Sequence, residues 1–341
     1  MRSCSAKVIS IALGLFAFSP ASKATLLSYE GFDYPSGSTI VGQNGGIGFS
    51  QPWQLNSSQG VFTNQGFSLS YTDAQSNRLI TIGGSLLIQG LTNGDFAAQP
   101  NRMLSYFRGT NFGAADGVST WVSFLAVRQG PTTNSVTNVF NPYPRAANLS
   151  LYNSVPSNTE KLAMGNTALT PSNNVALLPQ GNINNIKTSA VNYSHTNFIV
   201  VRIDHVAGAA FDNAYLFMNP PLATEPPLSA ADTNSIGQFD FSFNRIRPFA
   251  GGNRPSAESP YAELVLDEIR IGETYVDVTP YIPPLSVSLS GGAAVLTWPG
   301  TNAHLQSAGD VTGPYTNIFG ATSPFTNTLP DPLRFFRLSS Q

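Results

Sequence analysis

An all-β sandwich of the jelly-roll kind is the fold this sequence predicts, and three observations carry it. Short runs of alternating apolar and polar residues recur along the chain, the period of a half-buried strand. Turn signals separate them: Thr92-Asn93-Gly94, Gln129-Gly130-Pro131, Ala207-Gly208 and Pro220-Pro221. The composition, with 30 Gly and 25 Pro in 341 residues and 11% charged residues, suits strands joined by turns and disfavours long helices. Asn, Ser and Thr supply the polarity, and β-branched and aromatic residues are too plentiful for a disordered chain. A net charge of −2 with no basic tract argues against nucleic acid or an anionic membrane surface as partner.

The first segment has the layout of an export signal. Arg2 and Lys7 precede and flank an apolar run, Val8–Phe18, that is too short to span a bilayer comfortably. Ser22-Lys23-Ala24 then offers the small residues of a cleavage site. Cleavage after Ala24 removes residues 1–24, and with them Cys4, the one cysteine of the chain. The mature protein is then expected to be secreted or at the cell surface, with no membrane span. It would have no thiol for a disulfide, a zinc thiolate site or a cysteine nucleophile.

Thr25–Pro35 is expected to be a strand ending in a turn, and the glycine-rich Val41–Phe49 a loop. Strands are then predicted over Gly60–Tyr71, Arg78–Ile82, Leu86–Gln89, Met103–Arg108, Val118–Arg128, Ala147–Tyr152, Lys161–Met164, Asn197–His205, Asn213–Met218 and Gln238–Arg247. Phe198–Ile203 is almost continuously apolar, as in a central strand buried on both faces. In Gln238–Asn244 the three phenylalanines Phe239, Phe241 and Phe243 alternate with polar residues. The Asn-, Pro-, Thr- and Ser-rich Gly130–Asn192 is expected to hold at most weak strands and to wrap the sheet as long loops. Ser229–Asp232 could start a single helical turn.

Leu264–Pro280 is expected to be the strand that closes the sandwich. On strict alternation Val265, Asp267, Ile269 and Ile271 share one face, and Leu264, Leu266, Glu268 and Arg270 the other. Asp267 would then face a core, where a carboxylate must be paired, hydrogen-bonded or metal-bound. Pro280–Pro284 breaks the chain, giving a jelly roll over 25–280 and a small β module over 285–341.

The runs YEGFDYP, FIVVRIDH, AYLFMNPPL and LDEIRIGETYVDVTP resemble the concanavalin A-like, laminin-G-like (LamG-like) jelly rolls of secreted bacterial proteins, familiar from Verrucomicrobia and Planctomycetes. The tail resembles a short β module found at the C-terminus of many of them. The fold hosts lectins, adhesion modules and glycan-cleaving enzymes. The resemblance also implies a structural calcium where the first strand meets the last, with Asp267, Glu30 and Asp33 at the matching positions. The alternative for Asp267 is that it accepts backbone N–H bonds, tying the last strand to the first.

Retaining glycan hydrolases need two carboxylates close together, and the related signature ExDxxE is absent. Asp267 and Glu268 are adjacent, hence expected on opposite faces. Glu258 and Glu263 are too far apart. His195, His205 and His304 have no metal-ligand spacing, and His205 is expected to be a hydrogen-bonded structural histidine. For glycan binding, Trp121, Tyr143 and Tyr152 are the candidate aromatic platforms, while Trp53 and Trp298 are expected in cores. The sequence therefore points to an exported, non-catalytic binding or cell-surface module that recognises a polysaccharide or glycoprotein. A matrix protein without a small ligand is the alternative, and a polysaccharide-cleaving enzyme the weaker one.

Overall fold

The computed structural model describes residues 26–58, 61–89, 96–104, 111–113, 117–130, 146–153, 159–166, 173–207, 211–252, 262–300, 303–328 and 333–340. The expected export signal with Cys4, the expected Thr92–Gly94 turn, Tyr143 and Glu258 lie outside these residues.

The strands of the sandwich are, in chain order, β1 (Leu26–Glu30), β2 (Gln54–Ser58), β3 (Val61–Gln65), β4 (Arg78–Leu79), β5 (Ser85–Gln89), β6 (Phe96–Met103), β7 (Val118–Gln129) and β8 (Ala146–Asn153). They continue as β9 (Thr159–Asn166), β10 (Asn174–Pro179), β11 (Lys187–Asn192), β12 (Asn197–His205), β13 (Asp212–Met218), β14 (Thr233–Phe239), β15 (Arg245–Gly252) and β16 (Glu263–Gly272). One sheet of eight strands runs β14-β13-β12-β7-β16-β5-β3, with β1 also paired to β16. β5 pairs with residues 263–266 of β16 and β1 with residues 269–272, so the two share one edge of it. The second sheet has seven strands in the order β11-β10-β9-β8-β15-β6-β2. All the pairings are antiparallel.

The inner faces meet in one core. Phe124, Ile199, Val201, Leu264, Leu266, Ile269 and Ile271 come from the eight-stranded sheet; Leu149, Leu151, Leu162, Met164, Leu177 and Ile246 come from the seven-stranded one. Alternate residues of β7 and β12 point the other way. Trp121, Leu125, Phe198 and Val200 form a second apolar cluster on the outer face of the eight-stranded sheet. Leu79 of β4, Leu222, and Tyr275 and Val278 of the short helix α1 (Tyr275–Val278) cover it. One sheet is thus buried on both faces, as the continuous apolar run of β12 predicts. The outer face of the seven-stranded sheet has no comparable apolar cover among the described residues.

β17 (Tyr281–Ile282) pairs with β4. Beyond it, β18 (Ser286–Ser290), β19 (Ala293–Thr297), β20 (Ala303–Ala308), β21 (Thr316–Asn317), β22 (Phe325–Thr328) and β23 (Phe335–Ser340) build two three-stranded sheets, β18-β19-β22 and β21-β20-β23. Leu296, Trp298, Leu305 and Leu338 are buried between them. No helix among the described residues is long and apolar enough to cross a membrane.

Two expectations need correction. The described part of residues 130–192 is not mainly wrapping loop: it supplies β8, β9, β10 and β11, four neighbours of one sheet. Their polar residues sit on the outward positions of strands whose other face is apolar, and that weakened the signal. β6 ends at Met103, and residues 105–108 of the predicted Met103–Arg108 strand lie outside the described residues. The alternating Gln238–Arg247 is not one strand but the passage from β14 in one sheet to β15 in the other. Phe241 and Phe243 still reach the shared core.

Candidate functional site

Along β8, Ala147, Leu149 and Leu151 enter the core, so Asn148, Ser150 and Tyr152 point outward. On the adjacent β15, Ile246 and Ala250 point inward, which sends Arg245, Arg247 and Phe249 outward. On the other side of β8 the register shifts between Leu151 and Tyr152 and sets Glu160 of β9 opposite Tyr152. A bulge of this kind re-aims a side chain, and here it brings a carboxylate onto the face.

The Glu160 carboxylate is the hub. The Tyr152 hydroxyl donates to its Oε2 at 2.8 Å and the Ser150 hydroxyl to its Oε1 at 2.9 Å. Arg247 Nη2 lies 3.3 Å from Oε2. The guanidinium of Arg247 is 4.2 Å and that of Arg245 4.9 Å from the centre of the Tyr152 ring, with Arg247 also 5.6 Å from Phe249. Burial pushes the Tyr152 phenol well up, and the Glu160 charge adds to it, so the hydroxyl stays protonated and donating at neutral pH. Burial, then the like charge of Arg247, holds Arg245 below the usual guanidinium range. At the edge, Lys161 Nζ contacts Asp240 Oδ2 at 2.7 Å. Burial works to raise Asp240, but bonds from Lys161 and Ser242 outweigh it and lower its carboxyl. The side chains of Glu160 and Arg247 keep 20% and 12% of their surface exposed, so a ligand can reach both. Ser150, Asn148, Tyr152 and Arg245 are buried, so the groups that the patch presents to solvent are the carboxylate of Glu160 and the guanidinium of Arg247.

Of the expected aromatic platforms, Tyr152 points to this face, buried with 5% of its surface exposed and its hydroxyl on Glu160. Trp121 does not: it is 2% exposed, stacks on Phe217 with ring centres 6.2 Å apart and meets the edge of Tyr275 at 5.2 Å. That face of the strand is sealed by Leu79, Leu222, Tyr275 and Val278. Tyr143 lies outside the described residues. Trp53 and Trp298 are buried, as expected of core residues. His205 is also buried, with Thr120 at 3.1 Å and Asp212 at 3.2 Å. Sequence reasoning missed Glu160, Arg245 and Arg247, though Arg-Ile-Arg beside Asn-Leu-Ser-Leu-Tyr shows the alternation that places them on one surface.

The β16 carboxylates also depart from expectation. Between Asp267 and Arg270 the register against β7 slips by one residue, and Glu268 takes φ +55. Alternation therefore breaks. Leu264 and Leu266, then Ile269 and Ile271, face the core, while Asp267 turns outward into the covering segment. Asp267 accepts Leu69 N–H at 2.8 Å and Glu268 N–H at 2.7 Å. Glu268 accepts Ile82 N–H at 2.6 Å and the Tyr29 hydroxyl at 3.1 Å, and pairs with Arg270. Asp267 thus ties β16 to residues 66–82, and it is Glu268 that reaches β1. The two carboxylates are not on opposite faces. Burial, then the Glu268 charge, raises Asp267 to about 9.

Glu30 is engaged elsewhere. It pairs with Arg102 and accepts from Trp53 Nε1 at 2.9 Å, Tyr34 Oη at 2.8 Å and Phe32 N at 3.0 Å. Among the described residues no three His, Cys, Asp or Glu side chains gather as metal ligands, so Asp267, Glu30 and Asp33 do not form one cluster.

No family model matches this sequence, and no curated protein matches it. Some solved structures are similar to it at low identity. An endo-1,3-β-glucanase from Streptomyces sioyaensis is similar at 13% identity and TM-score 0.43, over 75% of this chain and 98% of that one. A β-1,3-glucanase from Mycobacterium marinum is similar at 12% and 0.37, over 73% and 100%. The binding domain of botulinum neurotoxin serotype D/C is similar at 10% and 0.32, over 78% and 68%. The chain is an all-β protein whose two large antiparallel sheets pack as a sandwich. The expectation that it is not an enzyme is corrected: structures similar to it include glucanases. That expectation rested on one missing acid motif, whereas the fold brings Glu160 beside Tyr152 and Arg247 from separate strands.

Proposed function

We propose that the outer face of the seven-stranded sheet is a carbohydrate site whose Tyr152–Glu160 pair can exchange a proton with a bound glycan. The carrying observation is the meeting of Glu160, Tyr152, Ser150 and Arg247 at 2.8–3.3 Å on the outward face of the seven-stranded sheet. Sugars present hydroxyls and weakly apolar ring faces. Fixed donors and acceptors beside aromatic rings satisfy both, and packing holds these in place before a ligand arrives. Glu160 accepts and Tyr152 donates, so a sugar oxygen that displaces one of them meets a proton donor and an acceptor together. Export by the N-terminal signal would put this face outside the cytoplasm, where polysaccharides are found.

Purified residues 25–341 should be tested on a polysaccharide panel by affinity electrophoresis and by release of chain ends. Retention by at least one polysaccharide is expected, weakened about tenfold or more in Glu160→Gln, as for loss of a charged hydrogen-bond partner. Equal retention by wild type and Glu160→Gln, or retention by nothing in the panel, would overturn the reading.

A further inference from the structure

We infer that the small C-terminal β module joins a second copy of this chain edge to edge through β18, forming a two-fold dimer. β18 (Ser286–Ser290) ends the sheet β18-β19-β22, so no strand among the described residues takes up the backbone groups of its outer edge. Such an edge is a template for another strand, and natural proteins blunt it with a lysine, a proline or a bulge. β18 carries none of these. It reads Ser-Val-Ser-Leu-Ser, and its register against β19 runs unbroken from Ser286 opposite Thr297 to Ser290 opposite Ala293.

The side chains point to the same edge. Val287 lies opposite Leu296 and Leu289 opposite Ala294, and directly opposed residues share a face of the sheet. Leu296 and Ala294 are buried in the core of the module. Val287 and Leu289 therefore hold core-facing positions, yet they are 60% and 78% exposed. A strand added at the outer edge would set its own side chains beside them. A second β18 suits that place, because the strand has nearly the same pattern in both directions. Antiparallel pairing about a two-fold axis at Ser288 puts Val287 against Leu289 of the copy, and Ser286 against Ser290 of the copy. Both apolar pairs then fall on the core side and both serine pairs on the other, the self-complementary condition of a closed dimer. Neither strand carries a charge, so nothing repels at the axis. The two small sheets become one, in the order β22-β19-β18-β18-β19-β22.

A five-residue pairing lies at the small end of protein interfaces, below about 1,200 Å², so the dimer should be weak, with a dissociation constant of about 10–100 µM. Sedimentation equilibrium of residues 25–341 from about 1 to 300 µM should show monomer at the low end and mostly dimer at the high end. Val287→Lys and Leu289→Lys should each weaken the dimer about tenfold or more, by setting an ammonium against an apolar side chain. Both should melt near the wild type, since these side chains are largely exposed in the single chain. Val287→Lys combined with Leu289→Glu should restore the dimer, because the antiparallel register sets the new ammonium against the new carboxylate of the copy. Amide exchange at residues 286–290, slower at high protein concentration than at low, reads the same pairing without any variant. A chain that stays monomeric over that range would overturn the inference and leave the edge to an extended segment of another protein. So would a dimer that both lysine variants leave as tight as before, or exchange at residues 286–290 that ignores concentration. A combined variant no tighter than the single ones would overturn the antiparallel register.

Discussion

Replacing Asp267 by alanine isolates the bulge in β16 from everything at the opposite sheet. Its carboxylate accepts two backbone N–H groups, those of Leu69 and Glu268, and the residue is completely buried. Alanine leaves both donors without that partner. A buried donor stripped of its acceptor costs about 1–3 kcal/mol, so the pair costs about 2–6 kcal/mol. That is a large part of the 5–15 kcal/mol, roughly, that holds a domain folded. The loss spreads, because Leu69 belongs to the segment that bonds again at Ile80 and Ile82 and brings Leu79 over Trp121 and Phe198. At about 2–4 °C per kcal/mol for a domain of this size the melting temperature should fall by roughly 5–20 °C. Circular dichroism reads the melt, and affinity electrophoresis well below it reads glycan retention, which should not change. A melt within about 2 °C of wild type would refute the anchoring argument. So would lost retention by a variant that melts normally.

Other predictions concern separate sites. Glu30→Ala removes the partner of the buried Arg102 and should cost about 3–5 kcal/mol, read as a lower urea midpoint; an unchanged midpoint would show that Arg102 is satisfied without it. Asp267 is raised to about 9 when folded, against about 4 unfolded. The folded state therefore holds a proton that the unfolded chain releases. This contribution is complete below about pH 4 and drains away as pH rises toward 9. Asp267→Asn should accordingly flatten the alkaline decline in melting temperature, and a decline as steep as in the wild type would count against the assignment. Tyr152→Phe deletes one hydrogen bond to Glu160 and should cost about 0.5–1.5 kcal/mol in stability. It should reduce glycan retention by more than that small loss explains, and a parallel small change in both would make Tyr152 merely structural.

Much of the fold was legible because burial on both faces leaves a plain mark. Phe198–Ile203 runs apolar without interruption, and its side chains do alternate between two cores. Residues 174–179 and 187–192 were not legible: the short apolar run Val175–Leu178 sits within a long stretch rich in Asn, Ser, Thr and Pro, and residues 187–192 carry Lys, Thr, Ser and Asn, as a loop does. In β16 the phase of the apolar residues held the information. Leu264 and Leu266 are two apart, Ile269 and Ile271 are two apart, and the step between the pairs is three. Only an extra residue lets all four face one core. At the candidate site Tyr152 was found by its type. Glu160, Arg245 and Arg247 were not, because a search for acids along one strand does not detect a cluster assembled from three. Trp121 failed as a ligand residue for the converse reason, since strand alternation does not show that a second layer seals the outer face.

The central claim is that Glu160, Tyr152 and Arg247 form a carbohydrate site. The most direct measurement is the affinity of the mature chain for whichever panel polysaccharide it retains best, with Glu160→Gln and Arg247→Gln assayed beside it and all three confirmed folded by their melts. Weakening of about tenfold or more in both variants is the expected result. Undiminished affinity in both folded variants would place the glycan elsewhere and contradict it.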